Sequence, residues 1–205
     1  MGKLIVFRLR KKRVGGIMCK ILKDIYGKSP QELLNMYEIS TEPPIDISKL
    51  IEKMKISTIA MDFTELERDS NVPEGCVLGA TFSNGDNLTI LYKKTDTLHR
   101  KKFTIAHEIA HCCLHCPKDK TSHIELRLDS YPDDIKKEEE KKEKDANIFA
   151  GELLIPKKSL KVYYDKLMIP SLLYLSELFD VSTNVMEERL NYLELPYYKD
   201  QFQRV

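Results

Sequence analysis

The chain lacks the marks of several large protein classes. No run of apolar residues approaches the roughly 20 that span a bilayer. Charge of one sign is missing too. The 33 Lys and Arg stand against 32 Asp and Glu, a formal net charge of +1, which does not call for nucleic acid or an anionic membrane as partner. The five cysteines are odd in number and have no regular framework. The apolar run Leu4 to Phe7 is too short for a secretory core and ends in charges. A cytoplasmic location with reduced thiols is therefore expected. Acids are absent from residues 1–23, which carry Lys3, Arg8, Arg10, Lys11, Lys12, Arg13, Lys20 and Lys23. Such a basic arm can touch nucleic acid, but residues 1–17 read rather as a disordered extension, with Met18 as an alternative start.

The 205 residues have room for one full domain and a small appendage. A short helix is expected between Ile25 and Tyr37, and Glu42-Pro43-Pro44 breaks the chain after it. Asp46 has the character of an N-cap, with Ile47, Leu50, Ile51 and Met54 forming one apolar stripe behind it. Ile56 to Phe63 reads as a strand and Thr64 to Cys76 as a polar loop. Val77 to Phe82 and Asn87 to Tyr92 flank Ser83-Asn84-Gly85-Asp86, a hairpin signal. Placing Leu78, Ala80 and Phe82 on one face with Leu88, Ile90 and Tyr92 needs an odd loop, so a three-residue turn, Asn84 to Asp86, is expected. Residues 117–135 read as a polar loop.

Neither Gly nor Pro interrupts the run from Thr97 to Cys116. Thr97 suits an N-cap, and Phe103, Ala106, Ala110 and Leu114 recur at helical spacing. Within this helix lies His107-Glu108-Ile109-Ala110-His111. Residues four apart share a helix face, so His107 and His111 can grip one metal ion, and Glu108 between them can reach a water held there.

A catalytic zinc site commonly has three protein ligands and one open position. The third must come from elsewhere, and Glu143 is the candidate. Glu143, Ala146, Asn147, Ala150 and Gly151 form one stripe at helical spacing, and three of the five have tiny side chains. Such a helix can press against the first and bring the Glu143 carboxylate to the metal. Asn147, one turn on, can hydrogen-bond a ligand histidine from behind. Glu138, Glu139, Glu140 and Asp145 compete for the third position.

Here the sequence resembles the ImmA/IrrE-type metallopeptidases. The resemblance is carried by the segment Arg100-Lys101-Lys102-Phe103-Thr104-Ile105-Ala106-His107-Glu108-Ile109-Ala110-His111, followed by Leu114-His115. A second segment runs from Glu143-Lys144-Asp145-Ala146-Asn147 to Leu154-Ile155-Pro156. The resemblance covers about Pro43 to Pro156, and more loosely the rest. Ala110 and Gly151 stand where the family often has Gly and Ala, exchanges that keep the residues small. The resemblance implies His107, His111 and Glu143 as ligands of one zinc ion per chain and Glu108 as the catalytic base. It also implies a cytoplasmic protein of a phage, mobile element or stress system, some relatives of which inactivate helix-turn-helix repressors by one specific cut.

Other constellations read more plainly. His115 lies one turn past His111, roughly 80° from His107 around the helix, and suits a supporting or surface position. His99 and His123 have no motif around them. Cys113-Leu114-His115-Cys116 has a C-x-x-C spacing beside Cys112, yet no second such pair exists, so buried thiols are expected rather than a metal or redox site. From Pro170 to Leu193 the chain resembles a helix-turn-helix. Glu177, Asp180, Glu187 and Glu188 against Arg189 alone give a net charge of −3, so packing or partner recognition is expected and not DNA reading.

The reading is an α+β, small zincin-like metallopeptidase domain, a short antiparallel sheet with active-site helices, over residues 18–156. A C-terminal helical module follows over 157–205. A zinc-dependent, site-specific endopeptidase acting on a helix-turn-helix repressor is expected. The competing expectation is a non-catalytic regulator of a repressor or DNA, stapled by its metal.

Overall fold

The computed structural model describes residues 20–84, 87–115, 122–129, 131 and 135–199. The basic extension at 1–17 and Cys116 lie outside them. Among the described residues the chain forms nine helices and a four-stranded sheet in a mixed α+β arrangement.

Two short helices open it, α1 (Lys20–Ile25) and α2 (Pro30–Met36). The short helix expected between Ile25 and Tyr37 is α2; α1 precedes it and ends before Gly27, whose φ of +76° suits glycine. Ser29 then starts α2 through a capping box with Glu32, and Pro30 follows it in the first turn. Asp46 caps α3 (Ile47–Met54) as expected, its Oδ1 accepting from the Lys49 N–H at 2.8 Å. After β1 (Ser57–Met61) comes a helix, α4 (Thr64–Ser70), inside the stretch expected to be loop. Its sequence is mostly polar. It forms because Leu66 is buried and because the Glu67 carboxylate turns inward to accept the N–H groups of Gly75 and Val77 at 2.9 and 2.8 Å.

The hairpin joins β2 (Val77–Asn84) to β3 (Asn87–Lys93). Asn84 pairs with Asn87 and Ala80 with Leu91, so the connection has two residues and not three. The two apolar sets therefore face opposite sides of the sheet, because both sides are covered. Leu88 and Ile90 enter the main core, whereas Ala80 and Leu91 join Met61, Phe63, Leu66 and Val77 in a second cluster. β1 pairs parallel with β3, so the sheet is mixed. A fourth strand, β4 (Ser122–Leu128), pairs antiparallel with β2 within the segment expected to be loop. The order is β1-β3-β2-β4, which leaves β1 and β4 at the edges.

Beneath the sheet lies α5 (Leu98–Leu114), capped by Thr97, whose hydroxyl accepts from the Arg100 N–H. It packs along α6 (Lys136–Leu154). Ala106, Ala110, Ala146 and Ala150 are fully buried. The chain closes with α7 (Lys157–Tyr164), α8 (Leu172–Leu178) and α9 (Thr183–Tyr192). Leu175, Met186 and Leu190 share one apolar cluster with Ile90, Ile109 and Leu153.

Candidate metal centre

Helical spacing puts His107 and His111 on one face of α5, and both are buried. Their Nε2 atoms stand 2.8 Å apart. The small residues of α6 let that helix approach closely. Glu143 reaches across with Oε2 3.0 Å from His107 Nε2 and Oε1 3.3 Å from His111 Nε2. The three side chains present their ligand atoms within 4.8 Å of one another. The rival acids Glu138 and Glu139 pair instead with Lys142.

The donor set fits a metal ion. Ligand atoms on one tetrahedral zinc stand about 3.3 Å apart, given bonds of about 2.0–2.1 Å, close to the separations found. The His107 Nδ1 lies 2.8 Å from Asn147 Oδ1. That acceptor keeps the proton on Nδ1 and turns the Nε2 lone pair toward His111 and Glu143. Lone pairs and a carboxylate gathered at one point repel unless a cation lies among them.

Protonation states agree. Burial pushes the His107 imidazole down to about 4, with the nearby charges of Arg127 and His111 adding to it, so the ring is neutral at pH 7. Burial alone would raise the Glu143 carboxyl, but its contacts with the two imidazoles outweigh burial and hold the group well below the usual carboxylate range. A neutral imidazole and an ionised carboxylate are the forms that bind metal.

The Glu108 carboxylate reaches toward β2. The Thr81 hydroxyl donates to its Oε2 at 2.6 Å, and both residues are buried. Above its Oε1 runs the backbone of Gly79, where an added Cβ would stand 2.8 Å from that oxygen. Only a glycine leaves room for the carboxylate. Two further groups converge on the outer side. Arg127 on β4 places Nε 3.4 Å from Glu143 Oε2, and the Tyr131 hydroxyl donates to Glu143 Oε1 at 2.9 Å. Burial, then the negative charge of Glu143, raise the Tyr131 phenol well above its ordinary value, so it remains a hydrogen donor at neutral pH.

Thr81, Gly79, Arg127 and Tyr131 escaped the sequence reading because their roles come from strand register and a loop, which no local motif announces. Asn147 is where the sequence placed it. His115 stands outside the ligand cluster, with Nε2 3.2 Å from the Lys142 carbonyl oxygen on α6. His99 pairs with Asp180 at the turn before α9, and the His123 side chain lies outside the described residues. Cys112 and Cys113 are buried, and burial raises the Cys113 thiol far above its ordinary value, which suits packing rather than redox chemistry.

A helix bearing His-Glu-x-x-His under a small sheet, with a carboxylate delivered from a second helix, defines a zincin-like architecture. The chain belongs to the Peptidase_M78 family of metallopeptidases: the family model described as the IrrE N-terminal-like domain matches residues 52–191, more than half of its length. The matched segment begins in α3 and runs through β1 to α8 into α9. Among curated proteins no match is found. Among the described residues no helix is long and apolar enough to cross a membrane.

Proposed function

We propose that this protein is a zinc-dependent, site-specific endopeptidase in which Glu108 is the general base. The observation that carries the reading is the pairing of a His107, His111 and Glu143 cluster with a separate carboxylate, Glu108, fixed in the same helical turn between the two histidines. A purely structural metal site has no use for that second carboxylate. Zinc held by the cluster supplies Lewis acidity, bringing the pKa of water from about 15.7 toward 7 and polarising the scissile carbonyl.

The chain's own groups do the rest. Glu108 takes a proton from the attacking water and passes it to the leaving nitrogen, a contribution of roughly 10²- to 10⁴-fold. Asn147 holds the His107 ring. Tyr131 and Arg127 stand where they can donate to the oxygen that gains charge as the carbonyl is attacked. β4, the edge strand that carries Arg127, offers its outer side to an extended substrate as an added strand.

A helix-turn-helix repressor as target rests on the resemblance to relatives that cut such proteins. The C-terminal helices suit a role in protein recognition. The one cation of α9, Arg189, is buried and turned to α6, leaving Glu187 and Glu188 without a positive neighbour on that helix.

Elemental mass spectrometry on wild type and Glu143→Ala tests the metal set. About one zinc per chain, and clearly less in the variant, is expected. Cleavage of candidate repressors by wild type and Glu108→Ala tests the base: the variant keeps its zinc and loses the cut. Undiminished cleavage by Glu108→Ala removes Glu108 as base. A folded protein that takes up no zinc removes the zinc peptidase reading and points to a non-catalytic regulator that needs no metal.

A further inference from the structure

The cleft that contains Glu143 is far larger than a metal site requires, about 860 Å³. One wall is a stripe of α6 from Lys136 to Gly151. Fifteen residue steps at 1.5 Å make it about 22 Å long, the length of six or seven extended residues at about 3.3 Å each. The opposite wall is α9, which turns Asn184, Val185, Glu188 and Tyr192 into the cleft from one helix face.

The position of α9 is fixed. Arg189 is 3% exposed. Its Nε donates to the Ile155 carbonyl at 3.1 Å, its guanidinium pairs with Glu152, and it lies 5.7 Å from the Tyr192 ring centroid. The wall is thus built by the fold, anchored at the end of the helix that bears Glu143.

Chemistry decides what the cleft accepts. Arg127 is engaged by Glu143 and Arg189 by Glu152. The other charged residues in its lining are mixed in sign: Lys136 and Lys144 against Asp129, Glu140 and Glu188. A charged side chain meets no field of one sign. An apolar one meets Phe103, Leu128, Ile148, Val185 and Tyr192, and about 25 cal/mol is gained per Å² of apolar surface removed from water.

We propose that the α6–α9 cleft is the specificity pocket of the peptidase, receiving a bulky apolar side chain of the substrate polypeptide within a few residues of the scissile bond. Val185 and Tyr192 set that preference. The C-terminal helices are then part of the substrate site, and α9 reads polypeptide. The proposal rests on the peptidase reading above, and its test separates the two.

A proteome-derived peptide mixture is digested with the zinc-loaded protein, and cut sites are read by mass spectrometry. Large apolar residues enriched at one position near the cut are expected. Val185→Trp, which narrows the pocket where the apolar side chain would sit, shifts that position to small residues, changing the ratio of kcat/KM between bulky and small substrates about tenfold or more. Tyr192→Ala, at a residue that is more than half exposed, weakens the preference in the same assay. Zinc content and thermal midpoint are measured for both variants. A second readout needs no catalysis: N-acetyl-phenylalaninamide is titrated into Glu108→Ala while the Ile148 and Val185 methyl signals are followed by NMR. Shifts there, lost in the Glu108→Ala/Val185→Trp double variant, support the pocket.

Cleavage without apolar enrichment, or enrichment that neither variant alters, overturns the specificity assignment and leaves the peptidase reading standing. Binding at those methyls without cleavage of any peptide supports the pocket and counts against the peptidase. Neither cleavage nor binding overturns both.

Discussion

Gly79→Ala tests the fit between β2 and the Glu108 carboxylate. A methyl group at Gly79 would stand 2.8 Å from Glu108 Oε1 and 3.0 Å from Thr104 Cγ2. Comfortable contacts begin near 3.5 Å, so the overlaps are about 0.5–0.7 Å. Neither neighbour can yield cheaply. Thr104 is buried on α5, and Glu108 is held from its other oxygen by Thr81 at 2.6 Å. The φ of Gly79 lies outside the left-handed region, so alanine adds only bulk and no backbone strain. Overpacking of this kind costs about 1–3 kcal/mol, and the carboxylate is pushed by roughly half an ångström or more. A 1 Å misplacement of a reacting group can cost about 10²-fold in rate. The metal ligands face α6 and are not touched. Gly79→Ala should keep its zinc by elemental mass spectrometry, lose a few degrees in thermal midpoint, and cleave peptide about 100-fold more slowly. Wild-type cleavage would show that Glu108 does not act from the position it holds against β2.

Three further perturbations read other parts of the site. Asn147→Ala removes the partner of His107 Nδ1 and should weaken zinc about 10- to 100-fold in a chelator competition; unchanged affinity would refute its orienting role. Tyr131→Phe should retain zinc and lower kcat by about 10²-fold with little change in KM, as for loss of one oxyanion donor; an effect confined to KM would make it a binding residue. In the metal-free protein, His107 takes a proton at about pH 4 when folded and near 6.5 when unfolded. Its stabilising contribution is therefore complete above about pH 6.5 and lost as pH falls toward 4. The ceiling is about 3 kcal/mol at 1.36 kcal/mol per pH unit. Glu143, also held below its ordinary range, acts in the same direction at lower pH. Urea unfolding in chelator at pH 7, 5.5 and 4.5 measures this, and a flat profile, equal to that of His107→Gln, would refute it.

How far the site was legible follows from which contacts are local. The α5 helix, its Thr97 cap and the shared face of His107 and His111 depend on residues within a few positions of one another, and the sequence carries all of that. Glu143 was legible at longer range because close packing leaves a trace: Ala146, Ala150 and Gly151 recur at helical spacing beside it. The strand register was not legible. Alternation in β2 and β3 marks an apolar face, but in a sheet covered on both sides each strand has two. Only the tertiary structure decides that Ala80 lies opposite Leu91. β4 was hidden for a related reason. Its Leu126 and Leu128 pack on the second cluster, whereas Arg127, between them, turns to Glu143. The polar residues that made the segment look like loop include part of the site.

The same logic explains how one helix can carry both the candidate metal set and the proposed base. At about 100° per residue, Glu108 lies about 100° around the helix from His107 and about 60° from His111, on a neighbouring face. A base and a metal set on different faces of α5 must each be met by a different neighbour, and each neighbour must come close. On the α6 side this requires small residues, Ala146 and Ala150, and on the β2 side it requires Gly79. Close approach is thus demanded twice, by adjacent faces of one helix, and the demand fixes the spacing between metal set and base through backbone rather than through flexible side chains. Enlarging either contact should separate the two functions. Ala150→Leu, placed where α6 is fully buried, should displace Glu143 and cost zinc affinity together with activity, whereas Gly79→Ala should cost activity alone. Loss of both properties in both variants would mean that the two faces move as one unit.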